Sequence, residues 1–227
     1  MADGRPTPVG SEASSDDRDP LEDDDRLPAY FLDAWPAIRE FSHLLRRYGA
    51  ERGLIGPRES GRLWERHLLN SAGVVTLLPA AGEILDLGSG GGLPGLVIAA
   101  MRARARVRLV EPMERRVAWL RFVVAELDLD NVEVCRARAE EIAGKVEADA
   151  ITARAVSSLE NLYRWAAPLT RRGGGLYAIK GVRAGDEVTA ARTAERRYGW
   201  TDGHVEAIET LPGVTPTRVV CATRTGG

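Results

Sequence analysis

Apolar positions along the chain change their period near residue 80. Before that point the spacing is helical. Phe31, Trp35, Ile38, Phe41, Leu45 and Tyr48 recur at three- and four-residue steps, which predicts a first helix. Asp33 is placed to cap it, with Pro36 in the first turn, where proline's missing N–H is tolerated. Ile55-Gly56-Pro57 breaks the run. A second helical stretch, about 58–78, carries Leu63, Trp64, His67, Leu68 and Val75 and stops at Pro79.

Beyond residue 80, strand-like and helical runs alternate. The strand-like runs are ILDL (84–87), VRLVE (107–111), VEVCR (132–136), DAITARA (149–155) and GLYAIK (175–180). Helices are expected over about 93–102, 114–127, 138–143, 158–168 and 184–197. In the second of these, Val117, Leu120, Val123, Val124 and Leu127 form one apolar face. Two last strands fall near 204–210 and 217–223. Alternating strand and helix predicts a parallel sheet with crossovers. Two final strands without a helix between them predict a hairpin, so one antiparallel strand joins the sheet. The expectation is an α/β, Rossmann-like fold with seven strands, mostly parallel, and a helical extension over 27–80 preceding a domain over 81–227.

Composition adds a tail. Residues 1–26 hold nine acidic side chains against three arginines, and the rest of the chain carries a net +4 within a total of −2. This stretch is rich in Asp, Ser, Pro and Gly, cannot bury enough apolar surface to offset its ordering entropy, and is expected to be disordered. A mildly basic body permits a nucleic-acid partner without requiring one. No run of eighteen apolar residues and no signal-like N-terminus occur, so a cytoplasmic protein without a membrane span is expected. Cys135 and Cys221 sit in strand-like runs and read as free thiols, not a disulfide or metal site.

The candidate chemistry lies in 83-EILDLGSGGGLPGLVIAA-100. A strand ends in Asp86-Leu87 and five glycines follow within eight residues. Two frames compete. Gly90-x-Gly92-x-x-Gly95 matches the dinucleotide fingerprint, and Asp86-x-Gly88-x-Gly90-x-Gly92 matches the loop of S-adenosyl-L-methionine (SAM) methyltransferases. The dinucleotide frame starts late after the strand and puts a carboxylate beside a pyrophosphate. SAM carries an ammonium and a sulfonium and no phosphate, so an acid at the strand end suits it. Glu111, closing the next strand, can accept from ribose hydroxyls in either frame. Asp86 therefore decides the ligand in favour of SAM.

With 84-ILDLGSGGGLPG-95, 66-RHLLNS-71, 138-RAEE-141, 152-TARAVSSL-159 and 177-YAIKG-181 in this order, the chain resembles the ribosomal small-subunit methyltransferase G family, also called glucose-inhibited division protein B. The resemblance runs from about residue 30 to 225. It implies a SAM-dependent methyltransferase fold and transfer of a methyl group to N7 of one guanine in 16S rRNA near the decoding region. The partner it implies is 16S rRNA or the small ribosomal subunit, and no metal is expected. By the same resemblance Gly88, Leu93, Ala139, Glu140 and Arg154 contact the cofactor, beside Asp86, Gly90, Gly92 and Glu111. Asn70 departs from the family's His-x-x-Asp-Ser pattern.

Guanine N7 has a free lone pair and no proton to lose, so no general base is expected. Arg154 and Lys180 close two strands on the ligand side and are expected to position the guanine region or its phosphates, helped by Arg138. The alternative for Arg154 is a pairing with Glu140 or Asp86 that orders the cofactor pocket. His67 is placed either to stack on a base or to pack. Trp35, Trp64, Trp119 and Trp165 read as core, and the arginines at 102, 104, 106 and 108 as a solvated edge. A monomer is expected. A SAM methyltransferase of a small molecule and a non-catalytic RNA-binding protein on the same fold are the remaining alternatives.

Overall fold

The computed structural model describes residues 19–56 and 59–226. The expected disorder over 1–26 falls mostly outside them, but its last part is corrected. Residues 19–26 are folded onto the body. Asp19 is buried; one carboxylate oxygen accepts from the backbone N–H of Trp64 at 2.7 Å and the other from that of Leu21 at 3.0 Å. Leu21 and Leu27 then pack on the core. An acidic residue is drawn in because a buried N–H at the head of a helical turn needs an acceptor.

Helix α1 (Arg26–Phe31), a 3-10 turn (Leu32–Ala34) and α2 (Trp35–Tyr48) follow. Pro36 sits in the first turn of α2 as expected, but Asp33 lies in the 3-10 turn and α2 has no side-chain cap. The second predicted helix is not continuous. It consists of a 3-10 turn (Ser60–Arg62), a π-helical segment (Trp64–Leu69), α3 (Asn70–Gly73) and another 3-10 turn (Val74–Leu77). Trp64, His67, Leu68 and Leu69 are all buried, a spread wider than one α-helical stripe.

The sheet has seven strands: β1 (Gly82–Leu87), β2 (Ala105–Val110), β3 (Val132–Cys135), β4 (Ala148–Arg154), β5 (Thr170–Lys180), β6 (Trp200–Ile208) and β7 (Thr217–Arg224). Their order is β3-β2-β1-β4-β5-β7-β6, and only β7 runs antiparallel to its neighbours. The crossovers carry α4 (Gly95–Met101), α5 (Glu114–Glu126) and α6 (Leu159–Ala166), with α7 (Ala184–Ala190) and α8 (Arg192–Arg197) in place of the single helix expected over 184–197. The segment expected to be helical over 138–143 forms only a 3-10 turn, Ala139–Glu141.

Alternation along β1 sends Ile84 and Leu85 to opposite layers. One layer holds α1–α5 and the π segment, the other α6–α8. The expected solvated arginine edge is in part a ladder: Arg108 meets Glu83 and Glu133 at 3.3 and 3.1 Å, and Arg106 meets Glu133 at 2.6 Å. Adjacent strands put these side chains side by side, which their spacing within one strand does not reveal. Both cysteines are free, Cys221 buried and Cys135 half-buried. No helix among the described residues is long and apolar enough to cross a membrane.

Because the chain goes from β1 to β2 on one side and returns to β4 on the other, β1 is the topological switch point. In open sheets of this kind the ligand crevice lies at such a point, at the carboxyl ends of the strands.

Replacing Asp19 by Ala leaves the buried Trp64 N–H unpaired. Thermal denaturation is expected to show a loss of about 1–3 kcal/mol. An unchanged melting temperature would remove this contact from the fold's support.

Candidate functional site

The loop after β1 is held from two sides. Gly88 and Ser89 donate their N–H groups to the carbonyl of Val110 at the end of β2, at 2.9 and 3.2 Å. The Ser89 hydroxyl donates to the Asp86 carbonyl at 2.9 Å. The Asp86 side chain has no exposure at all; its Oδ2 accepts from the Gly95 N–H at 3.1 Å. Its other oxygen, Oδ1, is buried without a partner among the described residues. Burial pushes the Asp86 carboxyl up to about 7.

Glu111 pins the tip of the loop. Its Oε2 accepts from the Gly90 N–H at 3.0 Å and its Oε1 from the Met113 N–H at 2.9 Å. Arg116 stands 3.8 Å away and balances the buried charge. Each carboxylate oxygen keeps a further lone pair. Ala139 and Glu140 lie in the 3-10 turn beyond β3, with Glu140 exposed. Arg138 is exposed too, and its backbone N–H donates to Glu141 at 2.9 Å.

The expected glycine contacts divide. At Gly90 a side chain would meet little, so that face is open. Gly88 has φ +69° and is covered by the side chain of Val156. Gly92 turns toward Leu96 and Phe41, and Leu93 is buried in the core. The side-chain positions of Gly92 and Leu93 therefore face the core, and a cofactor would meet these residues through their backbone. Five glycines within eight residues hide this difference in the sequence.

Arg154 closes β4 but pairs with neither Glu140 nor Asp86 by a hydrogen bond. Its Nη1 donates to the Arg66 carbonyl at 3.0 Å and its Nη2 meets His67 Nδ1 at 2.9 Å. Burial lowers the guanidinium to about 10, while Asp86 and then Glu59 hold it up. His67 is buried, and its Nε2 lies 3.1 Å from Glu59 Oε2. Burial, followed by the Arg154 charge, pushes the imidazole down to about 4. His67 is only 6% exposed, so its ring has almost no open face for stacking on a base. Lys180 closes β5 and donates to the Ser157 carbonyl and to Glu187, both at 2.7 Å.

These ends border a cleft of about 1000 Å³. Arg62, Arg66, Arg154, Lys180 and Arg218 line it, against Glu59, Glu65 and Glu187. Sequence reasoning missed Glu59, Arg66, Arg116, Val156 and Glu187. Arg66 and Val156 lie inside the stretches 66-RHLLNS-71 and 152-TARAVSSL-159 but carry no legible role there, and Glu59, Arg116 and Glu187 lie outside every quoted motif. Asn70, the departure from the family pattern, exchanges hydrogen bonds with Thr217 at 3.3 and 3.1 Å and ties the helical extension to β7.

A family model described as rRNA small subunit methyltransferase G matches residues 35–211. A ribosomal RNA small subunit methyltransferase G of Beutenbergia cavernae is 48% identical over 188 residues, 83% of this chain and 89% of that protein. One of Thermobifida fusca is 47% identical over 195 residues, 82% of each. Among solved structures, a SAM-dependent O-methyltransferase from Thermotoga maritima superposes with a TM-score of 0.55 at 14% identity, over 75% of this chain and 71% of that one.

The Asp86 carboxyl gives a signed expectation. Its ordinary value of 3.8 rises to about 7 in the fold, so the folded chain holds an extra proton between those values. That contribution is full below the lower value and is lost as pH rises through the upper one. Asp86→Asn, which does not titrate, should gain on the wild type by roughly 2–4 kcal/mol between about pH 4 and pH 8 in denaturant titrations. Parallel stability curves would contradict a buried, proton-holding Asp86.

Proposed function

The chain belongs to the rRNA small subunit methyltransferase G family and is an rRNA methyltransferase; from that premise we propose that it transfers the methyl group of SAM to N7 of a specific guanine in 16S rRNA near the decoding region. The observation that carries the reading is a juxtaposition at one end of the sheet. The Asp86–Gly90–Glu111 cradle stands beside a cationic cleft that ends on Arg154 and Lys180.

The residues present fit SAM. Asp86 Oδ1 is a buried acceptor without a partner, and an ammonium would satisfy it. The open face of Gly90 admits close approach. The free lone pairs of Glu111 suit the ribose hydroxyls, and the turn at Ala139 and Glu140 suits the adenine. When bound, SAM supplies a methyl already activated by a sulfonium, so the hard chemistry belongs to the cofactor.

What remains for the chain is alignment and exclusion of water. The N7 lone pair is the nucleophile, and no proton leaves it. A donor placed on N7 would block the reaction, so Arg154 and Lys180 serve the guanine O6 or nearby phosphates. Lys180 begins in a pair with Glu187, and a phosphate would have to compete with that carboxylate. The surrounding Arg62, Arg66 and Arg218 give the cleft the sign a phosphate backbone needs.

Mapping of N7-methylguanine in 16S rRNA from cells with and without the gene should show one site lost in its absence. Identical maps would overturn the substrate assignment. Glu111→Gln should weaken SAM by about tenfold or more, roughly 1.4 kcal/mol, with RNA affinity unchanged, as read by isothermal titration. Unaltered SAM affinity would remove Glu111 from the cofactor site.

A further inference from the structure

His67 and Arg154 are 87 residues apart in sequence and 2.9 Å apart in space. A guanidinium only donates, so the contacted Nδ1 must be an acceptor. That fixes the tautomer: the imidazole is neutral and its proton sits on Nε2, which donates to Glu59 Oε2 at 3.1 Å. Glu59 is itself fixed by accepting from the Gly56 N–H at 3.1 Å through the same oxygen. The second anchor of Arg154 is the carbonyl of Arg66, the residue before His67. Both anchors therefore come from the π-helical segment Trp64–Leu69, whose geometry takes its carbonyls out of the α-helical register.

We propose that His67 is a positioning residue: held by Glu59, it orients the Arg154 guanidinium at the edge of the cleft, so that the helical extension completes the substrate site. This rests on the reading of Arg154 as a contact of the guanine region. The Arg154 side chain is long, and its orientation costs rotamer entropy unless neighbours hold it. Two anchors on its two Nη atoms hold the fork in one plane. The family motif around His67 is thus used by its Nδ1 lone pair, not by stacking or proton transfer.

The chemistry of the two ring nitrogens supplies the test. An asparagine amide oxygen can stand where Nδ1 stands, while a glutamine amide reaches the Nε2 position. His67→Ala should lower kcat/KM for 16S RNA by about tenfold or more, and any change in the Kd for SAM should be no larger than that of Arg154→Ala alone. His67→Asn should recover most of that loss and His67→Gln should not. In an Arg154→Ala background, His67→Ala should add less than about a twofold effect, because a residue that acts through Arg154 has nothing left to orient. Rescue by Gln equal to that by Asn, or a full additive loss in the double variant, would overturn the proposal. A second readout is independent of activity. The Arg154 guanidinium N–H signals in the NMR spectrum of the SAM-free protein should be exchange-protected in the wild type and His67→Asn and averaged in His67→Ala and His67→Gln. If the wild type fails to methylate 16S RNA but these signals behave as stated, the substrate reading fails and the positioning stands. Identical signals in all four proteins would sink the positioning itself.

Discussion

The loop between β1 and α4 is held by two carboxylates that have almost no access to water. Asp86 accepts the N–H of Gly95, at the head of α4, and Glu111 accepts the N–H of Gly90, at the tip of the loop. A glycine-rich segment has many conformations open to it and would sample them without such anchors. Here the anchors are placed by the sheet, because Asp86 lies at the end of β1 and Glu111 directly follows its neighbour β2. Desolvation makes Asp86 costly as an anion, and the Gly95 N–H and the Arg154 charge offset only part of that cost while Oδ1 stays unpartnered. A cationic group arriving at that oxygen would relieve it.

The helical extension is not a separate appendage. Asn70 exchanges hydrogen bonds with Thr217 of β7, and Arg102 donates to the Val75 carbonyl at 2.7 Å. The extension shares one apolar layer with α4 and α5. Its π segment carries Arg66 and His67, which hold Arg154. A polar cluster of this kind is all or nothing. Satisfied, it fixes one arrangement; with one member removed, it leaves a buried group without a partner. The charge of the cleft then follows from where five cations and three carboxylates end up, not from the composition of the chain.

Much of the fold was legible before any coordinates. Alternation of short apolar runs with helical stretches gave the parallel sheet, and the missing helix before the last strand gave the antiparallel β7. The strand ends at Asp86, Glu111, Arg154 and Lys180 were legible because polar residues close apolar runs there. Misreadings came where one local pattern fits two surroundings. The glycine-rich pattern does not reveal that the side-chain positions of Gly92 and Leu93 face the core, that of Gly92 toward Phe41 and Leu96. Asp19 looks like part of a disordered acidic tail and is a buried cap. The stretch 58–78 looks like one helix, yet buries side chains on too wide a face for α geometry.

Sequence by itself determined the period of each element, the order of strands and helices, and the residue types waiting at the strand ends. These are local properties, set by side-chain spacing, proline and glycine. Tertiary structure alone decided which of those residues meet. His67 finds Arg154, and Glu59 finds His67, because β4 ends beside a helical segment that precedes the sheet. No spacing rule connects them, since hydrogen bonds form by proximity and the chain brings these groups together only when the apolar layer between them closes.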